Sequence, residues 1–238
     1  NNGLANIQAS NFGTTQNGHF FNSDGASFQV KDFTIEAFVS RAADDNVITY
    51  IASQWDTSAG DRSWAFGVGA NDGDAGAGNG ELLLLLSEAG AATDVILSGL
   101  PGLDIGDDYY VAASFDESDQ AGGVTFYLQN LTDDGPLLTS SLAHGIDSLH
   151  PSTSNFNLGT FNDDGARRFL GVLDEVRLSD AALAIGFQLP EVFAHDREFL
   201  LGPLPQPAAG REPICEHLRR RGAIGIAEQA DFARDGSR

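Results

Sequence analysis

Along roughly the first 190 residues, hydrophobic and polar positions alternate in short runs, separated by clusters of Gly, Asp, Asn and Ser. Successive side chains of a strand point to opposite faces. In "FTIEAFV" this places Phe33, Ile35, Ala37 and Val39 on one face and Thr34, Glu36 and Phe38 on the other. The same reading predicts strands at "HFF", "SFQV", "FTIEAFVSR", "VITYIASQW", "SWAFGVG", "ELLLLLSE", "TDVILS", "YYVAASFD", "GVTFYLQN", "PLLTSS", "FNLGTF" and "RRFLGVLDEVRLS". Breaks such as "SDG", "NDGDAGAGNG", "DQAGG" and "TDDG" are turn chemistry, because Gly, Asn and Asp tolerate positive φ. Many short strands with regular turn signals predict an all-β sandwich or barrel. The one helical stretch is "SDAALA", where Ser179 is placed to cap a single turn.

The last predicted strand holds an awkward residue. Strict alternation puts Leu170, Val172, Asp174, Val176 and Leu178 on one face, four of them aliphatic. A buried, unpaired carboxylate is too costly to keep, so Asp174 requires a partner, a metal or a place near an edge. Glu175 and Arg177 fall on the opposite face and are expected in cross-strand ion pairing.

Composition narrows the class. At 238 residues the chain can form one large all-β domain or two smaller ones. The longest apolar run, "LLLLL" at Leu82 to Leu86, is far short of the ~18 residues of a spanning helix and suits a strand buried on both faces. The net charge of -21, with Lys31 the only lysine, opposes binding to nucleic acid and to anionic headgroups. A single cysteine, Cys215, excludes an internal disulfide and a cysteine-based zinc site. Methionine is absent and no signal peptide is visible, so the expectation is a mature form whose leader has been removed.

The chain changes character near residue 199. Residues 200–238 are rich in Pro, Arg, Ala and Gly, lack a period-2 pattern and carry six of the thirteen basic residues. The acidity therefore belongs to residues 1–199, expected as one domain, and 200–238 are expected as a poorly ordered tail.

Few groups converge in a way that chemistry needs. "NDGDAGAGNGE" begins like a calcium loop with Asp72 and Asp74 but lacks the further ligands and spacing of one, and is expected as a hairpin loop. His19, His144, His150, His195 and His217 are scattered without metal-ligand spacing. "GVGANDG" is a turn and not a dinucleotide fingerprint, because no helix pattern follows it. Trp55, Trp64, Tyr109 and Tyr110 are the aromatics placed to stack on sugar rings if they line a groove, the alternative being packing.

Several segments resemble the laminin-G-like jelly rolls of the concanavalin A-like lectin/glucanase superfamily. "FTIEAFV" is similar to an early strand, "YYVAASFDES" with "GGVTFYLQN" to the central hairpin, "FNLGT" to a later strand, and "FLGVLDEVRLSDAAL" to the closing signature. The resemblance runs from about His19 to Leu189 and implies two curved antiparallel sheets packed face to face. It also implies a structural calcium, held by Asp174 together with oxygens near the N-terminal strand. "NSDG", with Asp24 as its best side-chain donor, is the segment expected to supply the others. The glucanases of this superfamily carry E-x-D-x-x-E on one strand, which two-carboxylate hydrolysis requires. That spacing does not occur here. The resemblance therefore implies a non-catalytic, secreted or surface-associated bacterial recognition domain, with carbohydrate as its candidate ligand. A structural module of an envelope or matrix protein, and a glycan-active hydrolase or lyase, stay open as alternatives.

The tail carries a second resemblance. "PLPQPAAG" followed by "RRRG" is similar to a bacterial carboxy-terminal sorting signal with a Pro-Glu-Pro motif, but Gln206 replaces the glutamate. "REPICEHL" stands where an apolar span belongs, and each charge near a bilayer centre costs ~2.5–3.5 kcal/mol. The segment is expected to be a decayed sorting signal or an ordinary extension, with no membrane span.

Overall fold

A computed structural model describes residues 10–11, 20–44, 46–70, 73–91, 93–161 and 167–183. The chain divides into two units, Asn1–Phe187 and Gln188–Arg238; the second, and with it every expectation about the tail, lies outside the described residues.

Two six-stranded antiparallel sheets make up the described part. The first orders β1 (Ser10–Asn11), β12 (Gly171–Ser179), β3 (Phe33–Arg41), β8 (Asp108–Phe115), β9 (Val124–Asn130) and β10 (Leu138–Leu142) side by side. The second orders β2 (Phe20–Asn22), β11 (Phe156–Leu158), β4 (Thr49–Asp56), β5 (Asp61–Val68), β6 (Leu82–Gly90) and β7 (Asp94–Leu97). The inner faces meet in one apolar core, as a sandwich requires. Phe33, Ile35, Val111, Phe115 and Phe126 come from the first sheet, and Trp64, Phe66, Leu82, Leu84 and Leu86 from the second. Phe33 packs on Trp64 across the interface with ring centroids 5.0 Å apart. The all-β jelly-roll expectation agrees with this architecture.

Two local readings do not survive. "SFQV" is no strand: Gly25–Phe28 is a 3-10 turn, in which Ser27 Oγ donates to Asp24 (2.6 Å) and Phe28 stacks on Phe156 at 4.6 Å. The hairpin loop expected at "NDGDAGAGNGE" does join the antiparallel neighbours β5 and β6, with a 3-10 turn at Asp74–Gly76 within it. "SDAALA" is not helical through residue 183; Ser179 ends β12, and the chain then crosses the outer face of the first sheet. There Thr34 Oγ1 donates to the Ala181 carbonyl and accepts from the Leu183 N–H.

The alternation of β12 also breaks, and this settles where Asp174 points. Asp174 pairs with Phe38 but Arg177 pairs with Glu36, so β12 holds one extra residue. Glu175 absorbs it with φ 46°, a bulge that resets which side chains face inward. Leu173 and Val176 enter the core, while Asp174 lies in register with Phe38 on the other face. The apolar row was an artefact of unbroken alternation.

Candidate functional site

The outer face of the second sheet carries an apolar cluster of its own: Ile48, Tyr50, Trp55, Ala65, Ala70, Ala77, Leu83 and Leu85, with Leu97 and Phe161 packed against it. A cleft of about 260 Å³ opens over it. Its floor is Ile48, Tyr50, Trp55 and Leu85, all buried, and exposed Thr57, Thr93 and Val95 stand at its rim. Exposed Ala75 and the half-buried Phe161, Arg62 and Arg167 complete the lining.

Irregular pairing assembles this face. Tyr50 pairs with Gly67 and Ala52 with Phe66, so Ile51 is an extra residue on β4. Without it Tyr50 and Trp55, five positions apart, would point to opposite faces. On β5, Trp64 pairs with Gln54 and Arg62 with Trp55, so Ser63 is the extra residue. Trp64 therefore enters the core, while Arg62 turns outward with its Cζ 5.8 Å from the centre of the Trp55 ring. The Tyr50 ring needs Gly67 beneath it: a Cβ there would lie 2.8 Å from Tyr50 Cδ1 and 2.7 Å from the Thr49 carbonyl oxygen.

Phe161 arrives from the segment after β11. Ser53 Oγ donates to the Phe161 carbonyl (2.8 Å), and the Gly159 N–H donates to the Ile51 carbonyl (2.8 Å). So held, the Phe161 ring stacks on Tyr50 at 4.4 Å and tilts over Trp55 at 5.4 Å. The Tyr50 N–H donates to the Arg167 carbonyl, and Arg167 has φ 54°, a conformation uncommon outside glycine. Non-glycine residues kept there cluster at binding sites.

Electrostatics single out this cleft. Among the described residues its lining holds two arginines and no carboxylate, in a chain with 34 acidic residues and 13 basic ones. Three described acids close by in sequence are engaged elsewhere. Asp56 accepts from Ser58 N–H and Oγ and from the Ala59 N–H; Asp61 accepts from His150 and Thr153; Asp94 accepts from the Gly145 N–H. Burial pushes the Asp61 carboxyl up, but the hydrogen bonds from Thr153 and His150 outweigh it and hold the group below the usual aspartate range. The hydrogen bonds of Ser58 and Ala59 likewise hold Asp56 low.

The sequence-predicted aromatics separate into different roles. Trp55 lines the cleft; Trp64 and Tyr109 are core residues. Tyr110 is buried on the outer face of the first sheet, where its hydroxyl donates to Glu36 (2.8 Å), whose other oxygen accepts from Arg177 (2.7 Å). Burial and the Glu36 carboxylate push the Tyr110 phenol strongly upward. Arg177 thus finds its ion pair in Glu36, with Glu175 in the bulge. Tyr50, Phe161, Arg62 and Arg167 went unnoticed in the sequence, since their grouping depends on two extra residues in β4 and β5.

The two calcium candidates lie apart in the topology, Asp174 on β12 of the first sheet and Asp24 just after β2 of the second. Asp24 follows β2, is exposed, and spends its carboxylate on Ser27. Asp174 is 1% exposed, and its Oδ1 accepts from the Glu175 N–H (2.9 Å). A buried anionic oxygen suits a hard cation, whereas the side chain of Asp24 serves its own turn. Among the described residues no three His, Cys, Asp or Glu side chains cluster as a metal site. Asp72 lies outside the described residues.

Comparison with known proteins bears on the whole face-to-face architecture. A family model, Laminin_G_3, described as the concanavalin A-like lectin/glucanases superfamily, matches residues 13–184. No curated protein matches the chain in sequence. Among solved structures, it is similar to domain 4 of an extracellular arabinanase from Geobacillus stearothermophilus in complex with arabinotriose. That match has 17% identity and a TM-score of 0.48, and covers 71% of this chain and 69% of that one. The CBM40 of a Ruminococcus gnavus IT-sialidase, bound to α2,3 sialyllactose, matches at 13% identity and a TM-score of 0.45, over 76% of this chain and 91% of that one. A tailspike protein of Escherichia coli O157:H7 bacteriophage CAB120 matches at 14% identity and a TM-score of 0.46. There the match spans 73% of this chain but only 22% of the tailspike.

Proposed function

The chain belongs to the Laminin_G_3 family of the concanavalin A-like lectin/glucanases superfamily, and we propose that it is a recognition domain binding a glycan in the cleft over β4, β5, β6 and β7. One observation carries this reading: Phe161 is clamped on Tyr50 and Trp55 at the mouth of an open cleft whose rim supplies threonine hydroxyls and guanidinium groups. Sugar rings present apolar C–H faces edged with hydroxyls, and an aromatic floor with a few polar groups is the kind of pocket that orients a small ligand. Binding without catalysis is the form of the proposal. The described lining offers no carboxylate, imidazole or thiol, so a two-carboxylate hydrolysis has no acid–base pair there. A place outside the cell or on its surface, where polymeric glycans occur, belongs to the same proposal. Among the described residues no helix is long and apolar enough to cross a membrane.

The test is a glycan array probed in parallel with the wild-type domain and Phe161→Ala. Retention of a glycan by the wild type and at least about tenfold weaker retention by the variant, equivalent to about 1.4 kcal/mol, is the expected result. Equal retention by both proteins would place the binding elsewhere.

Calcium at Asp174 is a separate proposal. It rests on the burial of that carboxylate at the β12 bulge and on its match to the closing signature of the family.

A further inference from the structure

We propose that the outer edge of β10 is the interface to a second copy of this chain, the two β10 strands pairing antiparallel about a two-fold axis at Ser140. β10 ends the first sheet and pairs with β9 alone. Among the described residues, no hydrogen bond ties the backbone of residues 136–142 to anything but β9, and Leu138, Thr139 and Ser141 are exposed. An edge strand presents a row of unpaired N–H and C=O groups, a template for another strand, and is ordinarily guarded by a charge, a proline or a bulge. β10 has none of these. "LTSSL" is uncharged and holds no proline, and its five residues pair with β9 without a shift in register. By contrast β7, which ends the second sheet, begins with the carboxylate of Asp94.

What identifies the occupant is the strand's own sequence, which reads nearly the same in both directions. Antiparallel pairing about Ser140 sets Leu138 against Leu142 of the second copy, Thr139 against Ser141, and Ser140 against its own equivalent. A self-complementary patch of this kind is what an isologous two-fold contact requires. The faces agree as well. Leu142 packs against the main core, so by alternation Leu138, Ser140 and Leu142 share the inner face. Thr139 and Ser141 share the outer one, where Ser141 Oγ lies 3.0 Å from Thr125 Oγ1. Every pair across the seam then joins like faces. Thr and Ser hydrogen-bond across neighbouring strands, and Leu138, 37% exposed in the single copy, gains an apolar neighbour. A slip by one residue would set inner side chains against outer ones.

Charge sets the conditions. Two copies of a chain with a net charge of -21 repel each other. No Asp, Glu, Lys or Arg occurs from Gly135 to Ile146, while Asp133, Asp134 and Asp147 stand just beyond the two ends. The repulsion therefore comes from the flanks and not from the seam, and salt that screens the flanks favours the pair. On the glycan reading, the pair is bivalent. Strands paired antiparallel within one sheet are related by a two-fold axis normal to that sheet. The second sheets of both copies then lie on one side, and both clefts open toward the same surface. Two linked sites on one polymer raise avidity by roughly 10²–10⁴-fold.

The test is analytical ultracentrifugation of the full chain over a concentration series, at low salt and at about 1 M, where the screening length is ~3 Å. The expected result is a reversible monomer–dimer equilibrium whose dissociation constant falls as salt rises. Thr139→Asp, at an exposed position, should weaken the dimer at least tenfold at unchanged melting temperature. Adding Ser141→Lys to Thr139→Asp should restore it, because the introduced charges face each other across the seam. A monomer at every concentration and both salt levels, or a dimer that Thr139→Asp leaves intact, would overturn the interface. A dimer weakened by Thr139→Asp and not restored by Ser141→Lys would overturn the register about Ser140. On an immobilised polysaccharide the wild type should be held at least tenfold more tightly than Thr139→Asp, and equal retention would overturn the bivalent arrangement. A dimer that retains no glycan would leave the interface standing and remove the glycan reading; a monomer that retains one would do the reverse.

Discussion

Trp55 and Trp64 are nine residues apart and do different jobs. Trp64 is fully buried between Phe33 and Phe156, so Trp64→Ala should cost ~3–5 kcal/mol of stability and shift the thermal midpoint by many degrees. Phe161→Ala, at the half-buried cleft mouth, is expected to lose glycan retention while changing stability far less; a melting curve of each variant separates the two. Asp61 gives a pH prediction. Its carboxyl is lower in the folded chain than its ordinary value, so its hydrogen bonds stabilise the fold above about pH 4, where the unfolded group is ionised. That contribution is lost as pH falls through the lower folded value. Asp61→Asn should therefore melt earlier than the wild type at pH 7, and the two curves should converge toward pH 2. A gap that stays constant over that range would rule out this role for Asp61. Single residues of this kind were partly legible in the sequence. Trp55 stood out as an aromatic suited to a groove, yet nothing in its flanking residues distinguished it from Trp64.

At the scale of strands, the sequence predicted nearly every element and failed wherever a strand carries an extra residue. Period-2 reading is accurate until a bulge, after which every assignment of faces is inverted. Ile51, Ser63 and Glu175 are such points, and each sits beside a residue of interest: Tyr50, Arg62 and Asp174. No local composition marks Ile51, Ser63 or Glu175 as irregular, which is why alternation hides the cleft and puts Asp174 in an apolar row. "SFQV" failed for a different reason: its hydrophobic residue anchors a turn by stacking Phe28 on Phe156, a tertiary contact that alternation cannot register. Two substitutions test the irregular elements. Glu175→Val places a β-branched residue at φ 46° and should destabilise the domain by ~1–2 kcal/mol. Gly67→Ala should displace the Tyr50 ring, costing ~1–3 kcal/mol by overpacking and weakening ligand retention, since Tyr50 supports Phe161. Chemical denaturation of both variants reads the cost; a Gly67→Ala protein as stable as the wild type would mean that β4 moves freely under the cleft.

Over the whole molecule, the sandwich has two outer faces with opposite characters. On the first sheet Tyr110, Glu36 and Arg177 bond to one another, and the chain from Ala181 to Leu183 lies across Thr34 and Tyr127. On the second sheet, among the described residues, an aromatic floor is left open, with Arg62 over Trp55. The fold class was legible because it needs only strands and turns; the choice between faces was not, because it depends on which segments return over which sheet. Calcium belongs to this scale too, as an ion that would tie β12 to the N-terminal region. If Asp174 holds it, chelation should lower the melting temperature and Asp174→Asn should abolish that response; identical curves with and without chelator would remove the proposal. The claim on which the rest depends is that a glycan occupies the cleft over β4 to β7. Backbone amide shifts recorded by NMR during titration with a retained oligosaccharide test it most directly. With the glycan in the cleft, shifts concentrate in residues 48–62, 93–97, 159–161 and 167, and the amides around Glu36, Tyr110 and Arg177 stay unmoved. Shifts centred on the first sheet, with the Trp55 and Phe161 signals unchanged, would contradict it.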